Sequence, residues 1–252
     1  MSMRPFILVA NWKMYFLPEQ AVALIEEQYK EIDALCRNTK NSFVVCPSYE
    51  AIFMIQQATR ELPVCIGAQD CSAYPSGAYT GQVSAASLKQ LGCSYSIVGH
   101  SEVRAHNKQT NQEITQKVAQ LLQNNITPIV CCGESQKEQE NNLIAVVLEQ
   151  QLSPIFTELN SHKANTIIVA YEPIWSIGTG QSAQPEQIAT ALTCIKNIAN
   201  KHNYSGRLSI LYGGSVNSTT IKTLKKINNL DGFLIGSAST NFQELKKIVD
   251  SL

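Results

Sequence analysis

The sequence predicts an α/β fold, a (β/α)8 barrel in a single domain over residues 1–252. Three observations predict it. Eight short apolar runs recur with little internal alternation, as strands covered on both faces do. Longer stretches with three- and four-residue apolar spacing lie between them. The 252 residues carry no low-complexity tract, charge block or Gly/Ser linker, and barrels of about 250 residues commonly form one domain. A doubly wound open sheet with two extra strands fits the same alternation and is the main rival.

The elements follow in order. Phe6–Ala10 is the first strand. Glu19–Cys36 carries Val22, Ile25, Tyr29, Ile32 and Leu35 on one helical face. Phe43–Cys46, Val64–Ile66 and Tyr95–Val98 are the next three strands. Asn111–Gln123 is a helix with Ile114, Val118, Leu121 and Leu122 inward. Ile126–Cys132 and Thr166–Ala170 are strands five and six. Pro185–Lys201 opens with proline in a first-turn position and carries Ile188, Leu192, Ile195 and Ile198. Leu208–Leu211 and Phe233–Ile235 complete the strands, and Phe242–Leu252 ends the chain as a helix with Leu245, Ile248 and Val249 inward. Parallel strands need crossover returns, and helices supply them.

Composition excludes several classes. Lys+Arg and Asp+Glu are both 20, so the formal net charge is +0. Nucleic-acid binders and polybasic membrane binders need a basic surplus. At 44% hydrophobic and 16% charged the chain is too apolar for disorder. No run approaches the ~20 apolar residues of a membrane span. The first apolar run stops at Asn11 and Lys13 and is too short for a signal-peptide core, so a cytoplasmic location is expected. The eight cysteines include no C-x-x-C pair. Cys46, Cys65, Cys93, Cys131 and Cys132 lie in apolar runs and read as buried reduced thiols. With His100, His106, His162 and His202 they give no metal-ligand spacing.

The residues able to do chemistry follow strand ends: Asn11 and Lys13, Gln69 and Asp70, His100 to Glu102, Glu134, Glu172, Gly213 to Ser215, and Gly236 with Ser237. In a barrel these ends open on one face, so residues far apart in sequence converge. The last two loops, Tyr212-Gly213-Gly214-Ser215 and Ile235-Gly236-Ser237, offer glycine-flanked N–H groups to an anion, where barrels often bind phosphate; tight glycine turns are the alternative for either loop alone. Glu172 follows an apolar strand, where partial desolvation makes a carboxylate a better base; a structural salt bridge is its alternative. Lys13 supplies a cation to the cavity, and His100 is the one histidine at a strand end. Pro173-Ile174-Trp175-Ser176-Ile177-Gly178-Thr179-Gly180-Gln181-Ser182-Ala183 mixes glycines with large apolar groups, which suits a lid that closes and excludes water. Gly178-x-Gly180-x-x-Ala183 also matches a dinucleotide fingerprint. Pro173 and Trp175 separate it from the strand, and no second strand ending in an acid follows, so that reading fails.

Together Asn11-Trp12-Lys13, Gly67-Ala68-Gln69, Gly77-Ala78-Tyr79-Thr80-Gly81, Val98-Gly99-His100-Ser101-Glu102, Tyr171-Glu172-Pro173-Ile174-Trp175, Ile177-Gly178-Thr179-Gly180 and Tyr212-Gly213-Gly214-Ser215-Val216 resemble the triosephosphate isomerase family over essentially the whole chain. The resemblance implies a TIM barrel and a homodimeric glycolytic enzyme without metal or cofactor. Such an enzyme interconverts dihydroxyacetone phosphate and D-glyceraldehyde 3-phosphate. It implies Glu172 as the base, His100 as the neutral electrophile and Lys13 as the stabilising cation. Asn11 would orient the substrate, and Glu102 would brace Lys13. Backbone N–H groups of Gly178, Ser215, Gly236 and Ser237 would hold the phosphate, with Gly213 and Gly214 completing their loop. The long segment Ser72 to Gln82, with Tyr74, Gly77, Tyr79 and Thr80, would enter a partner subunit and bring Thr80 near its Asn11 and Lys13.

Departures from the family pattern concentrate away from the catalytic residues. Thr80-Gly81 is followed by Gln82 where glutamate is usual, Val103 stands where arginine is usual, and Gln109 replaces a common glutamate. These positions cluster near the subunit interface in relatives, so a neutral interface is expected. Ser237 replaces a common glycine, which would cost strain if its φ is positive. In the lid, Ser176 stands where alanine is common, and Gln181-Ser182 stand where Lys-Thr is common. Two competing readings remain. Another phosphate-binding barrel enzyme, an epimerase or aldolase, would want clustered metal ligands or a late-strand lysine. A non-catalytic binding barrel would show a damaged base or lid.

Overall fold

The computed structural model describes residues 5–164, 166–176 and 183–252. Eight strands, β1 (Ile7–Asn11), β2 (Ser42–Cys46), β3 (Val64–Ala68), β4 (Tyr95–Val98), β5 (Thr127–Cys132), β6 (Thr166–Tyr171), β7 (Arg207–Tyr212) and β8 (Gly232–Ile235), pair in sequence order. All neighbours are parallel, and β8 closes on β1 in the register Ile7↔Gly232 to Ala10↔Ile235. The closed barrel rules out the open-sheet alternative.

Helices return the chain between strands. They are α1 (Pro18–Glu27), α2 (Tyr29–Arg37), α3 (Ile52–Ala58), α4 (Ala85–Gln90), α5 (Ser101–His106), α6 (Asn111–Gln123), α7 (Gln136–Glu140), α8 (Ile144–Ser161), α9 (Pro185–Lys201), α10 (Ile221–Leu224) and α11 (Phe242–Asp250). Two hydrophobic layers result, because alternate strand residues face opposite sides. Val9, Val44, Cys46, Ile97, Ile129, Cys131, Ile168, Ala170, Leu211 and Leu234 fill the barrel interior. The other strand residues pack outward against helices, as Val98, Val130 and Val169 do. Each fully buried aliphatic side chain contributes about 1.5–3 kcal/mol.

The structure refines the expected elements in three places. The stretch Glu19–Cys36 is two helices, broken at Gln28 (φ −105°, ψ 11°). Apolar spacing reports which face is buried, not whether the hydrogen-bond ladder is continuous. Helix α8 adds to the expected elements and runs through Pro154, a residue that normally breaks a helix interior. Pro154 has no N–H for the Gln150 carbonyl, and the Asn111 side-chain amide donates to that carbonyl instead at 3.3 Å. Cys65 corrects the thiol assignment. Cys46, Cys93, Cys131 and Cys132 are buried, but Cys65 is exposed. A Cβ on Gly67 would meet Cys46 and Val44 inside the barrel. Cys65, two residues earlier, shares that face but lies near the open amino-terminal rim.

Candidate active site

Asn11 ends β1, and its side-chain oxygen accepts the Lys13 N–H at 3.1 Å. Lys13 has a left-handed backbone (φ 49°), uncommon for a side chain of this size. The conformation is held from two sides, since Gln69 Nε2 donates to the Lys13 carbonyl at 2.8 Å and to the Cys46 carbonyl at 3.0 Å. Lys13 Nζ reaches Glu102 Oε1 at 2.5 Å. Burial acts to raise the Glu102 carboxyl, but the Lys13 ammonium, aided by His100 and His106, outweighs it and holds it below the usual carboxylate range.

His100 caps the start of α5. Its Nδ1 accepts the Glu102 backbone N–H at 3.3 Å, so the ring proton of this tautomer belongs to Nε2. That nitrogen lies 3.1 Å from Glu172 Oε1. Glu172 follows β6, is 2% exposed, and is fixed by its own N–H donating to the Cys132 carbonyl at 2.7 Å. Its Oε2 accepts the Ser101 N–H at 2.9 Å. Its Oε1 has no hydrogen-bond partner, because the approach of His100 is off the line a hydrogen bond needs. The site thus presents a buried carboxylate with one oxygen held and one free.

Glu134, one of the polar residues at the strand ends, braces the neighbouring loop. It is 1% exposed. Tyr171 Oη donates to both its oxygens at 3.0 and 3.2 Å, and Trp175 Nε1 donates to Oε1 at 2.7 Å. The Glu134 carbonyl also accepts the Ile174 N–H at 3.1 Å. Burial raises its carboxyl, partly opposed by those donors. Glu134 therefore anchors the start of the expected lid, where Ile174–Ser176 form a 3₁₀ turn. Gly133 makes this approach possible, since a Cβ there would lie 1.8 Å from the Glu172 carbonyl oxygen. Of the lid residues, Pro173, Ile174, Trp175, Ser176 and Ala183 are described; Ile177, Gly178, Thr179, Gly180, Gln181 and Ser182 lie outside the described residues.

One cavity of about 860 Å³ collects the sequence-predicted residues. Asn11, Lys13, His100, Glu102 and Glu172 line it together with Gly213, Gly214, Ser215, Gly236 and Ser237. Gly236 sits beside Lys13, for a Cβ on it would lie 3.5 Å from Lys13 Cε. Ser237 begins a 3₁₀ turn and is not among the residues with positive φ, so the serine carries no left-handed strain. Ser215 Oγ donates to the Ser176 carbonyl at 3.4 Å, linking the seventh loop to the start of the lid segment. The cavity therefore combines a buried carboxylate with an unpartnered oxygen, an imidazole N–H, an ammonium and a glycine-rich rim.

The triosephosphate isomerase family matches residues 6–252. The chain belongs to the triosephosphate isomerase family. It is 36% identical to the triosephosphate isomerase of Clostridium botulinum strain Langeland over 251 residues, covering 98% of this chain and all of that one. Those of Endomicrobium trichonymphae and Dictyoglomus turgidum are each 35% identical, over 98% and 99% of this chain and 98% and 100% of theirs. Triosephosphate isomerases are intramolecular oxidoreductases for triose phosphates, and the cavity contains groups suited to that chemistry.

The expected dimer segment stands apart from the cavity. It leaves β3 and is closed at its base by the Ser72 N–H donating to the Val83 carbonyl at 2.7 Å. Tyr74 and Tyr79 stack with centroids 3.9 Å apart, and the chain turns through Gly77 (φ 126°). Thr80 is exposed between them and Gln82. Gln82 Oε1 accepts the Ser72 hydroxyl at 2.6 Å within the same segment. A charged pair not foreseen in the sequence lies nearby. Lys117 Nζ meets Asp70 Oδ2 at 2.6 Å, with both side chains largely enclosed. Burial pushes the Asp70 carboxyl up, and Lys117 opposes it.

Proposed function

We propose that the residues around this cavity divide the isomerase reaction among themselves. Glu172 takes a proton from the carbon beside the substrate carbonyl through its free Oε1 and returns it to the neighbouring carbon. The Nε2–H of His100 polarises the carbonyl and exchanges protons with the two oxygens. Lys13 stabilises the negative charge of the enediolate and phosphate, Asn11 orients the substrate, and Glu102 holds Lys13. The backbone N–H groups of Ser215, Gly236 and Ser237, joined by Gly178, hold the phosphate. Proton transfer beside a carbonyl needs a base, an electrophile and an oxyanion stabiliser, and each is supplied once.

The observation that carries this reading is the unpartnered Oε1 of buried Glu172, 3.1 Å from His100 Nε2 and facing the cavity. The substrates are dihydroxyacetone phosphate and D-glyceraldehyde 3-phosphate, and the setting is cytoplasmic glycolysis. The test is conversion of D-glyceraldehyde 3-phosphate by the wild-type protein beside Glu172→Gln. The wild type converts it rapidly, and the variant loses about 10³–10⁴-fold in kcat. A variant within tenfold of wild type removes Glu172 from the role of base.

The same reading includes a homodimer. Among the described residues, eight of the ten exposed large apolar side chains, including Met14 at 92% and Leu17 at 68%, fall between β1 and the end of the β3–α4 connection. Tyr15, Tyr49, Phe53, Met54, Tyr74 and Tyr79 are the others. A concentration of this kind marks an interaction surface. A second copy covering it would bring Thr80 of one subunit beside Asn11 and Lys13 of the other. Sedimentation at micromolar concentration should give about twice the 27.8 kDa chain mass.

A further inference from the structure

Behind the His100–Glu172 pair lies a guanidinium with no assigned role. Arg104, on α5, donates Nε–H to the Gly99 carbonyl at 2.7 Å and Nη2–H to the Cys131 carbonyl at 3.1 Å. Its Nη1–H donates to Asn111 Oδ1 at 2.7 Å. Gly99 immediately precedes His100 at the end of β4. It has φ +69°, and a Cβ there would lie 3.0 Å from Arg104 Nη2. Cys131 lies in β5, and the charge of the Glu172 carboxylate acts on its thiol. Asn111 opens α6 and also bonds Gln150, the α8 carbonyl left free by Pro154. One side chain therefore joins β4, β5 and, through Asn111, both neighbouring helices.

All three acceptors are neutral, and among the described residues no carboxylate lies within ion-pair distance of Arg104. The groups whose charge acts on it are the thiols of Cys132 and Cys131 and the Glu172 carboxylate. Burial pushes both thiols up, so they stay protonated near neutrality. Glu172 is then the anion that this half-buried cation faces. Five N–H donors in a rigid fork suit several carbonyls at once, and lysine has no such fork.

We infer that Arg104 is a positioning residue for proton transfer. It fixes the ends of β4 and β5 so that His100 and Glu172 meet. This rests on the reading of Glu172 as the base.

The experiment compares kcat, KM and inhibition by inorganic phosphate for wild type, Arg104→Met, Arg104→Gln and Arg104→Lys. Folding is checked by near-ultraviolet circular dichroism. A displacement of about 1 Å at the reacting groups costs on the order of 10²-fold. Both neutral variants should lose about that factor in kcat, while KM and phosphate inhibition stay within about threefold. Arg104→Lys keeps the charge without the fork, so only part of kcat returns. Asn111→Leu, which loosens the arginine without removing it, should cost about tenfold in kcat with KM unmoved.

The inference is overturned if folded Arg104→Gln keeps kcat within threefold of wild type, or if Arg104→Lys restores kcat in full. It is also overturned if the loss falls on KM and phosphate inhibition. If the Arg104 variants do not fold, unchanged kcat in Asn111→Leu overturns the positioning role. Glu172→Gln, assayed alongside, separates the two failures. Retained activity there sinks the assignment of the base, whereas an inactive Glu172→Gln beside unaffected Arg104 variants sinks only the role of the arginine.

Discussion

Glu172 and Glu134 follow adjacent strands, β6 and β5, and are nearly equally buried, at 2% and 1% exposure. Their surroundings differ. Both Glu134 oxygens accept hydrogen bonds, from Tyr171 and Trp175. Glu172 has one oxygen held by the Ser101 N–H and one left without a partner. A buried acceptor without a donor costs about 1–3 kcal/mol, more when charged. At Glu172 that cost leaves an oxygen free to take a proton, whereas at Glu134 full satisfaction makes an anchor. Burial alone does not distinguish a base from a brace; the hydrogen-bond count does.

The largest expected effect breaks the pair apart. Glu172→Gln should lose about 10³–10⁴-fold in kcat, with a denaturant midpoint equal to or above that of wild type, because a poorly satisfied carboxylate has gone. Loss of stability comparable to the loss of activity would make Glu172 a brace as well. Lys13→Gln comes next. Removing the cation should cost about 10²-fold in kcat/KM. Inhibition by inorganic phosphate should weaken in parallel, since Gly236, in the proposed phosphate site, lies beside Lys13. Unaltered phosphate inhibition would confine Lys13 to the enediolate.

Glu134→Ala should show the converse signature. It leaves the Tyr171 hydroxyl and the Trp175 indole N–H without their carboxylate, at about 2–4 kcal/mol of stability in urea unfolding. Activity should fall only about tenfold, because no reacting atom touches Glu134. An activity loss matching that of Glu172→Gln with stability preserved would overturn the distinction.

The sequence made the barrel and the strand-end residues legible for one reason. Strands buried on both faces are written as continuous apolar runs, and the first polar residue after each run marks the functional rim. Asn11, His100 and Glu172 are all visible in this way. Contacts made by backbone groups are not, since any residue can supply them. The Ser101 N–H on Glu172 and the carbonyls of Gly99 and Cys131 under Arg104 leave no signature of residue type. Helix α8 tolerates Pro154 because the Gln150 carbonyl that the proline frees accepts from Asn111, a partner 39 positions away that no local pattern reveals. Cys65 misled because an apolar run says nothing of how near a strand residue lies to the barrel's open rim.

The smallest effect concerns the other region of the molecule, the apolar face around Gln82. The Ser72 hydroxyl donates to Gln82 Oε1, so Gln82→Glu keeps an acceptor and should leave the fold of the subunit unchanged. A carboxylate desolvated at a subunit contact without an opposite charge is costly. Gln82→Glu should therefore weaken the dimer by about tenfold. Adding Val103→Arg should restore part of that, a coupling that a double-mutant cycle measures. The wild-type dimer should change its dissociation constant by less than about threefold between low and high salt, because Gln82, Val103 and Gln109 bring no charge and the Lys117–Asp70 pair is internal to one subunit. Steep weakening with salt would show that this ion pair, or another, reaches across to the second copy. The neutral side chains would then be screening a charged interface rather than replacing one.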